Sequence, residues 1–144
     1  MRPRVFCEEA YVAVKILIAD DHEIVREGIR RVLEARPEWQ ICGEASNGQE
    51  AVRMAQELAP DVIIMDVTMP VMSGFEAAEE ISRFPVSSRV LFFTMHDSGS
   101  MAGTARRSGA QGYVVKTRAA QDLIQALERL LHGGTFFDSS TYAN

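Results

Sequence analysis

Long apolar runs are missing from this sequence of 144 residues. No run approaches the ~20 residues that a membrane-spanning helix needs, so an integral membrane protein built from such helices is excluded. The N-terminus carries Arg2 and Arg4, but Glu8 and Glu9 come soon after them, so the apolar part of a secretory signal is not formed. We therefore expect a soluble, cytoplasmic protein without a membrane partner.

Cysteine and positive charge are also scarce. Cys7 and Cys42 form neither a metal-ligand spacing nor a disulfide framework, and Cys42 falls in a predicted strand, where it suits a small core position. Lysine and arginine total 15 against 20 acidic residues, which gives a net charge of -5. This acidic balance argues against a domain that itself grips a phosphate backbone.

Several motifs of nucleotide-binding and hydrolytic enzymes are absent as well. The sequence contains no GxxxxGK[ST] loop and no GxGxxG after its first apolar run. It also contains no GxSxG elbow and no HExxH helix. A P-loop nucleotidase, a dinucleotide-binding enzyme, a serine hydrolase and a zinc protease of these types are therefore disfavoured.

The sequence does contain a regular alternation of apolar runs and helical patterns. Strand-type runs cover residues 14–19, 39–45, 61–65, 90–93 and 112–115, and helical patterns come after them at about 24–33, 51–58, 73–84, 98–108 and 119–132. This alternation predicts an α/β fold with a five-stranded parallel sheet and helices on both faces. We expect one domain over 14–134, an N-terminal extension over 1–13, and a C-terminal tail or linker over 135–144.

Polar side chains follow four of the five predicted strands. Asp20 and Asp21 follow the first, Asp66 the third, Thr94 the fourth and Lys116 the fifth. Ligands of an open parallel sheet bind outside the carboxyl ends of its strands. The sequence alone does not fix the strand order, but the order 2-1-3-4-5 would bring all five side chains to one crevice.

Each of these residues also has an ordinary structural interpretation. The aspartate pair can cap a helix, Asp66 can form a turn, Thr94 can be a β-branched strand residue, and Lys116 can be a solvated charge. Taken together they favour a site, because three clustered carboxylates repel one another and a divalent cation relieves that repulsion. Oxygen ligands suit Mg²⁺. An anion beside Lys116, a metal and a nucleophilic carboxylate would make a phosphoryl-transfer site.

Four stretches carry a family resemblance: ILIADDHEIVREGIRRVL, DVIIMDVTMPVMSGFEA, LFFTMH and GAQGYVVKT. Over about Lys15 to Gly133 they resemble the receiver domain of two-component response regulators, which implies a flavodoxin-like receiver fold with strand order 2-1-3-4-5. The resemblance implies that Asp66 is phosphorylated from a phosphohistidine of a sensor histidine kinase. It also implies that Mg²⁺ is bound by Asp66, by Asp21 directly, by Asp20 through water, and by the backbone carbonyl of Thr68.

The resemblance assigns a switch as well. Thr94 matches the switch hydroxyl, Lys116 the phosphate-binding lysine and Tyr113 the switch aromatic. Two residues depart from the common pattern. Thr117 stands where many receivers have proline, and Met95 stands where the family often has a small residue, so that its bulk narrows access to Asp66 or constrains Tyr113.

The histidines are interpreted as structural or solvated. We expect His22 beside the acidic pair, His96 at the border of the pocket and His132 at a helix C-terminus.

ADDHEIVREG and GYVVKT look most like receivers that carry a C-terminal helix-turn-helix domain. Only ten residues follow Gly134, so contact with DNA would require a domain absent from this chain. The chain is then a fragment of a transcription regulator or a stand-alone receiver that acts by protein–protein contact, with a phosphorylation-dependent homodimer as a further option. We expect it to catalyse only its own phosphorylation and dephosphorylation. A Mg²⁺-dependent aspartyl-phosphate phosphatase is the enzymatic alternative, but Thr68 stands where one such architecture has a second acid.

Overall fold

A computed structural model describes residues 13–95 and 99–137 of the chain. Over these residues, six strands form one sheet and five α-helices flank it. The strands are β1 Val14–Ala19, β2 Trp39–Ala45, β3 Val62–Met65, β4 Arg89–Thr94, β5 Gly112–Val115 and β6 Phe136–Phe137. The helices are α1 Glu23–Leu33, α2 Gly48–Leu58, α3 Gly74–Ile81, α4 Gly99–Arg107 and α5 Ala119–Leu131, with a 3₁₀ turn at Lys116–Arg118.

The sheet is parallel throughout, in the order β2-β1-β3-β4-β5-β6. The predicted fold class and the order of the first five strands are confirmed, but the predicted number of strands is too small by one. The additional strand lies in the segment that the sequence assigns to a tail. Gly133, with φ +90°, ends α5, and Phe136 and Phe137 then pair with the free edge of β5. Two residues are too few for strand periodicity to show in a sequence.

The start of α3 fixes the loop that follows Asp66. Ser73 is its N-cap: the hydroxyl accepts the backbone N–H of Glu76 at 3.2 Å, and the Glu76 carboxylate accepts the N–H of Ser73 at 3.0 Å. This reciprocal capping box confirms the predicted helix start at Ser73. Gly74 then donates its N–H to the Val67 carbonyl at 2.7 Å, which ties the helix back to the end of β3.

The apolar core lies in two layers, one on each face of the sheet. Tyr113 and Phe92 belong to the layer beneath α2, α3 and α4, whereas Phe93 and Leu127 belong to the layer beneath α1 and α5. Successive residues of a strand point to opposite faces, which places neighbours such as Phe92 and Phe93 in different layers. None of the described helices is long and apolar enough to cross a membrane.

Candidate phosphoryl-transfer site

The strand register brings the predicted site residues to one edge of the sheet. Ala19 of β1 is level with Met65 of β3, so the residues that come after them, Asp20 and Asp66, leave the sheet side by side. Thr94 of β4 is level with Val115 of β5, and Lys116 comes next in the chain. The predicted side chains therefore leave the sheet at the same edge, beyond the carboxyl ends of the strands.

Lys116 links two of the carboxylates. Its Nζ atom lies 2.8 Å from Oδ2 of Asp20 and 3.4 Å from Oδ2 of Asp66. All three side chains are largely buried. Attraction between opposite charges is much stronger in such surroundings than in water, so the ammonium offsets part of the repulsion between the two acids.

Asp20 is held from several sides. Its Oδ1 atom accepts the backbone N–H of His22 at 2.9 Å, and its carbonyl oxygen accepts a hydrogen bond from Arg26 at 2.6 Å. Arg26 also donates to Glu44 at 2.8 Å. Burial alone would raise the pKa of Glu44, but hydrogen bonds from Arg30 and Arg26 hold that pKa below its usual value. Sequence reasoning did not single out Arg26, although its place in the first turn of the helix that follows the acidic pair was a usable signal.

Asp66 has an unusual electrostatic environment. Burial raises the pKa of its carboxyl group, the Lys116 ammonium opposes the rise, and the negative charge of Asp20 adds to it. Its Oδ1 atom accepts the backbone N–H of Val67 at 2.8 Å. A partly compensated, buried carboxylate of this kind is typical of functional sites.

A divalent cation fits the acidic cluster. Asp20, Asp21, His22 and Asp66 each offer one ligand atom, and these atoms lie within 4.8 Å of one another. Opposite ligands of an ion such as Mg²⁺, with bonds near 2.1 Å, stand about 4.2 Å apart. The His22 side chain is exposed, and its Nδ1 atom lies 3.2 Å from a carboxylate oxygen of Asp20 and of Asp21. Three of the four side chains in the cluster are carboxylates, a ligand set that suits a hard ion.

The other predicted site residues differ in their burial. Thr68 is exposed in the loop after β3, Thr94 is buried at the end of β4, and Tyr113 is buried within β5. Met95 is 63% exposed and lines a cavity of about 430 Å³ together with Phe93, on the α1 and α5 face of the sheet. Tyr113 belongs to the core layer on the opposite face of the sheet. The expected effect of Met95 on Tyr113 or on access to Asp66 stays a prediction.

The predicted border residue His96 lies outside the described residues. The roles assigned above to the individual site residues remain predictions.

Residues 16–128 match the family model described as the response regulator receiver domain. The chain belongs to the response regulator receiver family. The transcriptional regulatory protein DegU of Brevibacillus brevis is 36% identical over 124 residues, which cover 85% of this chain and 52% of DegU. A LuxR-family response regulator from Aurantimonas sp. SI85-9A1 superimposes with a TM-score of 0.86 at 38% identity, covering 91% of this chain and 94% of that one. A structure of two RcsB dimers bound to two parallel DNAs gives a TM-score of 0.82 at 28% identity, covering 91% and 67%.

These relatives are response regulators of the LuxR and NarL type, so the resemblance to the helix-turn-helix subfamily is confirmed. The receiver chain spans about half the length of the curated relatives it matches. Receiver domains of this family are generally signal receivers rather than enzymes, and they bind Mg²⁺ at an acidic pocket, which here corresponds to the cluster of Asp20, Asp21, His22 and Asp66.

Proposed function

We propose that Asp66 accepts a phosphoryl group in a Mg²⁺-dependent reaction and that this receiver switches an interaction surface in response. The observation that carries the proposal is the convergence of Asp66, Asp20 and the Lys116 ammonium, with Nζ–O distances of 3.4 and 2.8 Å. The Lys116 ammonium neutralises the two carboxylates in the metal-free receiver. Once a metal ion also binds these carboxylates, the positive charge of Lys116 is available to an incoming phosphoryl group.

The proposed reaction is an in-line displacement. A carboxylate oxygen of Asp66 attacks the phosphorus of a phosphohistidine; the new O–P bond forms as the P–N bond breaks, and the electron pair stays on the donor imidazole, which takes up a proton. Lys116 neutralises charge on the transferred oxygens. Asp21, Asp66, the Thr68 carbonyl and, through water, Asp20 would hold Mg²⁺, which would supply further charge neutralisation. Water later attacks the phosphorus of the acyl phosphate; the bond between phosphorus and the Asp66 oxygen breaks, inorganic phosphate leaves, and the carboxylate is restored.

The proposed switch is based on the position of Thr94 and Tyr113. Thr94 turns toward the new phosphoryl group, and Tyr113 fills the space it leaves, which remodels the face built from α4, β5 and α5. Support comes from the thin packing of α4, whose fully buried side chains are the small Ala102 and Ala105, with Met101 partly buried beside them. An element that buries so little apolar surface shifts at low cost.

The proposed partners are inferred from what is known of the relatives. The phosphoryl donor is a sensor histidine kinase in the cytoplasm. DegU is named as a transcriptional regulatory protein and RcsB is described as a DNA-bound dimer, so we propose a phosphorylation-dependent homodimer and control of transcription through a DNA-binding domain outside this chain. The net charge of -5 agrees with DNA contact being made elsewhere.

Labelling with acetyl phosphate tests the phosphoacceptor role. We expect intact-mass analysis to show the gain of one phosphoryl group in the presence of Mg²⁺, and no gain with EDTA or in Asp66→Asn. Asp61→Asn, which removes a carboxylate at the opposite end of β3 that accepts the Lys15 N–H, is the matched control and should label normally. Labelling that survives Asp66→Asn would overturn the proposal. Sustained turnover of a phosphomonoester would favour the phosphatase alternative instead.

A further inference from the structure

The strand β6 closes the edge of the sheet beside β5. Phe136 is level with Gly112 and Phe137 with Tyr113, and the Phe136 N–H donates to the Gln111 carbonyl at 3.0 Å. Both phenyl side chains are buried, at 2% and 3% exposure. A short strand thus covers backbone groups that an open edge would leave unpaired.

The two rings of β6 lie on opposite faces of the sheet, and each meets an arginine. Phe136 belongs to the layer beneath α5, where the Arg129 guanidinium lies 5.5 Å from its ring centroid. Phe137 belongs to the layer beneath α4, where the Arg106 guanidinium lies 4.0 Å from its ring centroid. A cation over an aromatic face at such distances is attractive. Therefore β6 is held by the two helices that flank β5.

The neighbours of Phe137 are the parts of the receiver proposed to move. Tyr113 lies next to it in register and in the same core layer, and α4 supplies Arg106. A strand of two residues makes few backbone hydrogen bonds, so its attachment depends on how well its side chains are covered. Any rearrangement of Tyr113 and α4 must therefore alter the binding of β6 to the sheet.

We propose that phosphorylation of Asp66 loosens β6 from the edge of β5, through Tyr113 and the contact between Arg106 and Phe137. The inference rests on the proposed function, because it needs the phosphoryl group to move Thr94 and Tyr113. When Tyr113 turns toward β4, Phe137 loses a neighbour, and a shift of α4 withdraws the Arg106 guanidinium. The signal then reaches the chain beyond Phe137 directly, through the strand to which that chain is attached.

Amide exchange measured by NMR on the full chain tests the coupling. With excess acetyl phosphate and Mg²⁺, we expect the Phe136 amide to exchange at least tenfold faster, whereas the amide of Ile18 in the central strand β1 keeps its rate. Asp66→Asn under the same conditions should show no change. The fraction of labelled chains is read by intact mass on the same sample.

Two neighbouring arginines of α4 provide a matched pair of variants. Both arginines are exposed, but the Arg106 guanidinium lies over the Phe137 ring, whereas Arg107 donates to Thr104 within the helix at 3.1 Å. Arg106→Ala should speed exchange of the Phe136 amide several-fold without label and reduce the label-dependent change to less than threefold. Arg107→Ala should do neither.

The possible results separate this inference from the proposed function. A fully labelled chain whose Phe136 amide exchanges at an unchanged or slower rate would overturn the loosening of β6 and leave the phosphoacceptor role intact. Equal behaviour of the Arg106 and Arg107 variants would overturn the part assigned to Arg106. A chain that takes no label would overturn the phosphoacceptor role, and the coupling with it.

Discussion

The ammonium of Lys116 lies 2.8 Å from a carboxylate oxygen of Asp20, a residue 96 positions earlier in the chain. Both side chains are largely buried, and breaking one member of a buried ion pair leaves the other charge uncompensated. The pair therefore links the stability of the receiver to the same residues that form its proposed site.

Lys116→Met should destabilise the metal-free receiver by about 3 kcal/mol, near the lower limit for a broken buried pair because the lysine keeps some contact with water. Urea denaturation in EDTA measures the loss. Mg²⁺ should restore part of the stability, because the ion binds the carboxylates that the ammonium had neutralised. Lys15→Met is the control, since the Lys15 ammonium is exposed and donates to an uncharged acceptor, the Leu58 carbonyl. An equal loss in both variants would contradict the prediction.

Asp66→Asn should stabilise the metal-free receiver at neutral pH, by of order 1 kcal/mol. Burial raises the pKa of Asp66 in the folded chain, so the folded state binds the proton more tightly than the unfolded state does. The contribution of the Asp66 carboxyl group to the free energy of unfolding is fully present below the ordinary aspartate pKa of about 4. It is lost as the pH rises through the pKa of the folded state. Asparagine does not ionise and avoids that loss.

The measurement for this pH dependence is a series of denaturation curves in EDTA from about pH 4 to pH 8, a range that starts near the ordinary aspartate pKa. The advantage of Asp66→Asn over the unmodified chain should grow with pH and then level off. Asp61→Asn serves as the control and should show no such gain. A difference that shrinks as the pH rises would reverse the sign we derive.

Val71→Gly should stabilise the receiver by about 1 kcal/mol, because a left-handed backbone costs a residue with a side chain roughly 1–2 kcal/mol. Val71 has φ +72° and is 75% exposed, and Met72 donates its N–H to the Pro70 carbonyl at 2.8 Å across it. These are features of the strained form of a γ-turn. Chemical denaturation measures the gain.

Ala59→Gly provides a comparison for the Val71 variant, since Ala59 also has a positive φ, +46°, at the end of α2. Its gain should be smaller, because alanine lacks the β-branch of valine. A loss of stability in Val71→Gly would show that the side chain of Val71 makes a contact worth more than the strain.

Gly74→Ala should destabilise the receiver by about 3 kcal/mol or more, at the upper end of the range for overpacked sites. An added Cβ atom would clash with the backbone carbonyl of Asp66, a group that cannot rotate away, and would press on the Phe92 ring. Gly99→Ala is the matched control, because Gly99 also begins a helix and an added Cβ there meets no atom within 4 Å. Thermal unfolding of the two variants should differ clearly, and similar melting temperatures would contradict the expected clash.

The sequence alone predicted the fold class and the edge of the sheet at which the candidate site lies. Apolar runs that alternate with helical patterns predict a parallel sheet, and acids that come after the first and third runs can only lie at its carboxyl edge. Ser73 and Glu76, three residues apart, indicate the start of α3 in the sequence, because a capping box is a local interaction. Each of these features depends on near neighbours in the chain, or on a rule that holds for all such sheets.

The tertiary structure decided what depends on contacts between distant residues. The ion pair of Lys116 with Asp20, the support of Asp20 by Arg26, and the contact of Arg106 with Phe137 join separate elements. No local sequence pattern predicts these contacts, because long polar side chains adopt many rotamers and only the packed fold selects one of them. The strand β6 was missed for a related reason: two phenylalanines carry no periodicity, and the free edge of β5 makes them a strand.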